Sequence, residues 1–323
     1  MNGSHLRCIQ KRKYAMTASN SKPQIGYRKL TGLRLVQNAC LLLLLLASTV
    51  EAKDKYPPQF DGAAIASYKT VGDVSLKLWI FNPKDHQPTD HRAAILFFFG
   101  GGWTGGSPMQ FQNHCEQLAK RGMVAITVDY RVKSRHNVKP VQCVADAKSA
   151  VRWVRANAAK LGIDPQRIAA AGGSAGGHLA ACTAFLKEFD EPTEDMSVSS
   201  VPNALVLFNP ALMLAPLDGY NFGASGARVS EERFGAKPEQ ISPAHHVKKD
   251  APPTIIFHGK ADTTVPYATA EAFTAEMKKA GCRCELVGYE GAKHGFFNSA
   301  SDDGKDTIVR MEKFLKSLGY LED

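Results

Sequence analysis

A serine set among glycines, Ala171-Gly172-Gly173-Ser174-Ala175-Gly176-Gly177, is the pattern in this chain most suited to chemistry. Glycines two places before and two places after a serine allow a tight turn from a strand into a helix. Such a turn exposes the Ser174 hydroxyl and opens a helix at Ala175, whose N–H group favours negative charge. A hydroxyl alone is a weak nucleophile, so the reading requires a base and an acid elsewhere. Of ten histidines, His294 lies in a glycine-flanked loop, Glu290-Gly291-Ala292-Lys293-His294-Gly295-Phe296, directly after the last predicted strand. Asp262 follows another predicted strand within His258-Gly259-Lys260-Ala261-Asp262, and a carboxylate there can hold the second imidazole nitrogen. The order Ser174, Asp262, His294 is one of three in which such triads occur. Taken singly, each residue has a plainer reading: a phosphate-binding turn, a helix-capping aspartate, a solvated loop histidine. His258 is the alternative base.

A second element is Phe98-Phe99-Gly100-Gly101-Gly102-Trp103-Thr104-Gly105-Gly106, after a continuous apolar run. Consecutive glycines let backbone N–H groups approach a developing oxyanion without interference from side chains. The spacing Gly100-x-Gly102-x-x-Gly105, with Asp129 after the next strand, also matches a dinucleotide fingerprint. That fingerprint requires a helix to open inside the motif, whereas Ser107-Pro108 predicts a start only beyond it. No cluster of His, Cys, Asp or Glu has metal-ligand spacing, so neither metal nor cofactor is expected.

Positioning these residues calls for strands that alternate with helices. Ala63–Thr70 and Val74–Phe81 read as an opening antiparallel pair. Ala93–Phe99, Val124–Val128, Arg167–Ala171, Ala204–Phe208, Thr254–His258 and Cys284–Tyr289 read as buried strands. Helices are predicted from Ser107-Pro108 to Lys120, over Val141–Leu161, from Ala175 to Lys187, over Tyr267–Ala280 and from Asp306 to Leu318. This alternation argues one mainly parallel, doubly wound α/β sheet covered on both faces. Residues 209–249 break the rhythm and read as a short, irregular, cap-like insertion.

The formal charge of +9 over 323 residues resembles a nucleic-acid signal until it is located. Residues 1–52 hold eight Lys/Arg and one acid, leaving the remainder at +2 with 32 basic and 30 acidic residues. A nearly neutral body lacks the basic footprint of a nucleic-acid binder. The N-terminal charge precedes Ala39–Val50, centred on Leu41–Leu46, which has the layout of a secretory signal peptide ending near Ala52. Twelve such residues span about 18 Å as a helix, too short to cross a bilayer. The expectation is an exported chain, secreted or periplasmic, with residues 53–323 as the working domain and no stable membrane span after cleavage. Five cysteines would remain (Cys115, Cys143, Cys182, Cys282, Cys284), too sparse for a disulfide framework, with one bridge left open.

From about Tyr68 to Leu318 the chain resembles the α/β-hydrolase fold. The likeness is to the esterase branch related to hormone-sensitive lipase, bacterial acetyl esterases and feruloyl-esterase-like proteins. It rests on Gly100-Gly101-Gly102-Trp103, Asp129-Tyr130-Arg131, Gly172–Gly177, His258-Gly259-x-x-Asp262 with Val265-Pro266, and His294-Gly295-Phe296. The resemblance implies a serine esterase with catalytic Ser174, Asp262 and His294. It further implies oxyanion donors on the N–H groups of Gly101, Gly102 and Ala175, and Trp103 at the substrate. Small-molecule or carbohydrate esters, acetylated polysaccharide fragments among them, are the expected substrates. A prolyl-oligopeptidase-like peptidase is the competing reading, although such enzymes carry a large N-terminal domain. One position departs from the pattern: Phe99 stands where the family has a histidine that braces the glycine loop. The run Phe97-Phe98-Phe99 predicts an apolar brace in its place.

Overall fold

The computed structural model describes residues 56–220 and 229–322. The expected signal peptide lies outside the described residues, as does part of the expected insertion. Eight strands form one sheet in the order β1-β2-β4-β3-β5-β6-β7-β8. The strands are β1 Ala64–Val71, β2 Val74–Phe81, β3 Arg92–Phe98, β4 Val124–Val128, β5 Ile163–Gly173, β6 Ala204–Phe208, β7 Thr254–Gly259 and β8 Cys284–Tyr289. β1 pairs antiparallel with β2 and β2 with β4, while every later pairing is parallel.

Five longer helices cover the sheet: α1 Gln112–Lys120, α2 Pro140–Ala156, α3 Ala175–Phe185, α4 Tyr267–Lys279 and α5 Asp302–Ser317. The side-chain alternation of β3 shows why both faces are needed. Leu96 and Phe98 enter one apolar cluster with Val144 of α2, Leu179 of α3 and Phe273 of α4. Phe97 enters the other, with Leu118 of α1 and Phe314 of α5. A strand buried on both faces must be apolar at every position, which is the run read from the sequence.

Helix ends depart from expectation for local reasons. The segment after Ser107 begins as a 3-10 turn, Pro108–Phe111, with the Ser107 hydroxyl accepting from the Met109 N–H. α2 stops at Ala156 and not at Leu161, because the Asn157 side chain bonds back to the Trp153 carbonyl and residues 157–162 close as turns. α5 starts four residues before the expected Asp306. Ser301 caps it by accepting from the Gly304 N–H, with Asp302 and Asp303 in the first turn beside the helix dipole.

The described part of the insertion contains three single helical turns, Glu231–Phe234, Pro238–Ile241 and Pro243–His246. Its C-terminal half is pinned to the segment after β6: buried Ser242 accepts from the Leu214 N–H, and Ala244 N–H donates to the Leu212 carbonyl. Among the described residues no helix is long and apolar enough to cross a membrane. Among the described residues all five cysteines are free thiols.

Candidate active site

Ser174 sits between β5 and α3 with φ 54°, a left-handed value that a side-chain-bearing residue adopts only under constraint. The constraint is the close approach of β3. A Cβ on Gly176 would lie 2.0 Å from the Phe98 carbonyl oxygen, and one on Gly172 would lie 2.4 Å from the Gly176 oxygen. Only glycine fits at either place. The turn is thereby pressed against the end of β3, where the glycine loop begins.

The three residues singled out by type and order are brought together. His294 Nε2 lies 2.9 Å from Ser174 Oγ, and His294 Nδ1 lies 2.6 Å from Asp262 Oδ2. Asp262 is fully buried at its side chain, and His294 is 23% exposed there. Oδ1 of Asp262 accepts from the N–H groups of Thr264 and Val265, at 2.8 and 2.9 Å. Oδ2 also accepts from Asn209 Nδ2 at 3.1 Å. Burial works against the charge, yet hydrogen bonds from His258, His294 and the Val265 N–H hold this carboxyl well below the usual carboxylate range. An ionised Asp262 accepts, so His294 carries its proton on Nδ1 and presents a bare Nε2 to the serine hydroxyl. That is the state able to remove a proton from Ser174.

His258 is the wrong histidine for that task. It is completely buried, and its Nε2 lies 2.9 Å from the Val265 carbonyl and 3.4 Å from Asp262 Oδ2, so its N–H supports the loop and carboxylate of Asp262 from behind.

The glycine loop folds back on itself, with Thr104 and Gly105 N–H groups donating to the Gly101 carbonyl. Among the described residues the N–H groups of Gly101 and Gly102 have no protein acceptor. Ala175 is the first residue of α3, where an N–H lacks an intrahelical acceptor. These three N–H groups are therefore available to an anion. The dinucleotide alternative fails here, since the motif is a loop and the next α-helix opens only at Gln112.

Phe99 is fully buried and stacks on Tyr130 at 4.1 Å, while the Tyr130 hydroxyl donates to the Phe99 carbonyl at 2.6 Å. Arg131 in turn makes a two-pronged ion pair with fully buried Asp146. The segment Asp129-Tyr130-Arg131 thus anchors the glycine loop from below. Trp103 lines a cavity of about 590 Å³ together with Gly102, Lys133, Lys139 and Arg233. The residue is 8% exposed, and its Nε1–H donates to His178 Nδ1. The indole has no donor left for a substrate and offers an apolar edge. The one N–H of His178, on Nε2, donates to the Ile241 carbonyl 2.7 Å away, so one buried ring joins glycine loop, α3 and insertion.

Sequence reasoning missed Asn209, Gln110, Asn298 and His178. Asn209 carried a signal, since Asn209-Pro210 directly follows a buried strand on the edge where Ser174 emerges. The other three carried none, because each acts through a partner distant in sequence. Among the described residues no group of three or more His, Cys, Asp or Glu is placed to hold a metal ion.

The BD-FAE family model matches residues 78–277. This chain belongs to the BD-FAE family. Its eight-stranded, mostly parallel sheet with flanking helices is an α/β-hydrolase fold. Esterase LipC of Mycobacterium tuberculosis is 32% identical over 238 residues, 69% of this chain and 58% of the relative. The chain thus spans less than two thirds of the length of that curated relative. Among solved structures, the apo form of Thermogutta terrifontis esterase 2 is 53% identical with a TM-score of 0.79, covering 83% of this chain and 99% of the other. A butyrate-bound structure of the same enzyme matches with 52% identity, a TM-score of 0.78 and the same coverage.

Proposed function

We propose that this chain is a serine esterase that hydrolyses short-chain carboxylic esters through an acyl-enzyme on Ser174. The observation carrying the proposal is the unbroken hydrogen-bonded line from Ser174 Oγ through His294 to Asp262. Ser174 Oγ attacks the ester carbonyl as His294 Nε2 takes its proton. The resulting imidazolium is stabilised by buried, ionised Asp262. The N–H groups of Gly101, Gly102 and Ala175 receive the oxyanion, in a region that needs no reorganisation as charge develops. His294 then protonates the departing alcohol, and a water molecule repeats the cycle on the acyl-enzyme.

A short acyl group is supported by a relative observed with butyrate. Acetylated polysaccharide fragments are the natural substrate class we propose, together with export to a secreted or periplasmic location, motivated by the basic, leucine-rich N-terminus. A panel of chromogenic esters from acetate to palmitate, with acetylated xylan and a peptide amide, tests the reading. Hydrolysis should fall as the chain lengthens and should vanish in Ser174→Ala. Faster cleavage of the amide would favour a peptidase. Retention of ester hydrolysis in Ser174→Ala within tenfold of the native rate would overturn the mechanism.

A further inference from the structure

We infer that Gln110 and Asn298 are positioning residues that couple the glycine loop, source of the oxyanion donors, to the loop carrying His294. The inference rests on the esterase reading for what the coupling accomplishes, and on geometry alone for its existence.

The Phe99–Gly100 peptide is held from both sides. Its carbonyl accepts from the Tyr130 hydroxyl at 2.6 Å, and its N–H donates to Gln110 Oε1 at 2.6 Å. This peptide leads directly into Gly101 and Gly102, so its orientation sets where their N–H groups point. A Cβ on Gly100 would lie 3.3 Å from Ser174 Cβ, which puts the clamped peptide beside the nucleophile.

The clamp does not end at Gln110. Gln110 Nε2 donates to Asn298 Oδ1 at 3.2 Å, and Asn298 Nδ2 donates to the Gly295 carbonyl at 3.1 Å, one residue beyond His294. The Gly295 N–H donates to Asn209 Oδ1 at 3.3 Å, and Asn209 Nδ2 donates to Asp262 Oδ2 at 3.1 Å. Every donor in this chain points the same way, from Gly100 to the Asp262 carboxylate. The backbone dictates each amide's orientation: a backbone N–H can only donate, and a carbonyl can only accept. Gln110 must turn its oxygen to Gly100, Asn298 its nitrogen to Gly295, and Asn209 its oxygen to Gly295. No amide can flip without breaking two bonds.

The arrangement answers how the loop is held without the family's histidine. Phe99 supplies contact area beneath, and Gln110 supplies the hydrogen bond a phenyl ring cannot. Because Asn298 is exposed, its bond to Gln110 competes with water and adds little to global stability. Its effect belongs in the geometry of the reacting groups, where small displacements are costly.

The test uses the full chain with Gln110→Ala, Asn298→Ala and both together. Each single variant should lower kcat on a short ester about tenfold or more, with KM within about threefold. Melting temperature of Asn298→Ala should stay within about 2 °C of the native value. The double variant should lose clearly less than the product of the two single losses, because both singles already remove the shared Gln110–Asn298 bond. Independently of activity, hydrogen–deuterium exchange in Asn298→Ala should accelerate across residues 99–107 in the glycine loop. Multiplicative losses in the double variant, or unchanged exchange over 99–107, would overturn the coupling. Absence of ester hydrolysis in the native chain would overturn the esterase reading, while the exchange measurement would still decide the bridge.

Discussion

At the scale of single residues, the site depends on which histidine carries which bond. His294 reaches Ser174, whereas His258 is turned to the Val265 carbonyl and to the far side of Asp262. His294→Ala should therefore lose about as much kcat as Ser174→Ala, on the order of 10⁴-fold or more, since the residues act as a unit. His258→Ala should lose far less and should lower the melting temperature, because it vacates a fully buried position. Rates measured on one ester for both variants decide the assignment, and a reversed order of losses would sink it. Phe99 gives a second prediction. Its ring fills the space between Tyr130 and Gly106, where a Cβ on Gly106 would lie 2.6 Å from the phenyl carbon. Phe99→Ala should cost about 3–5 kcal/mol in denaturant unfolding and also lower kcat as the loop sags. Native stability in that variant would show that the ring is not a brace. Phe99→His is expected to destabilise too, since the site is fully buried and the Arg135 guanidinium lies 6.0 Å from the ring centroid, which disfavours an imidazolium.

At the scale of elements, the decisive contact is the approach of β3 to the start of α3. Gly176→Ala would put a methyl group 2.0 Å from the Phe98 oxygen, forcing apart the strand end that begins the glycine loop. Expected outcomes are a drop in melting temperature and loss of nearly all ester hydrolysis, read by thermal unfolding and by rate. Wild-type behaviour in both would mean that the junction is slack. The same junction shows what the sequence could convey. β3, β4 and β6 were legible because strands buried on both faces must be uninterrupted apolar runs. The turn at Ser174 was legible because close backbone approach demands glycine. The end of α2 was not, since Ala158-Ala159 favours helix locally and only the Asn157 side chain decides otherwise. Gln110 and Asn298 were invisible for a different reason: they are 188 positions apart, and neither carries a local mark of its partner.

At the scale of the whole molecule, buried titratable groups set how the fold responds to acid. His114 is 3% exposed among Phe97, Phe111 and Phe208, and among the described residues neither of its ring nitrogens has a hydrogen-bond partner. Burial pushes its imidazolium down to about 4, and burial does the same to His178, only partly opposed by the Ile241 carbonyl. Both rings fold as the neutral form, so the unfolded chain binds more protons once pH falls below the ordinary histidine range. Stability is then lost from about pH 6.5 down to 4, by about 3 kcal/mol for each histidine at pH 4. Asp129 acts in the opposite sense. Burial raises its carboxyl to about 6, so the folded state takes up a proton first and regains about 2 kcal/mol over part of that window. Two histidines outweigh one aspartate, and the melting temperature should decline from pH 7 towards pH 4. For His178 protonation also removes the acceptor used by the Trp103 indole, so the glycine loop loosens together with the fold. His114→Leu isolates the other half of the effect. It replaces an unbonded imidazole by an aliphatic group of similar volume within an aromatic cluster, which should be neutral or stabilising at pH 8. At pH 5 it should be clearly stabilising, because the variant no longer excludes a proton that the unfolded chain would take. Melting curves of native chain and variant across pH 4–8 test this, and parallel profiles would show that His114 is not a source of the acid sensitivity.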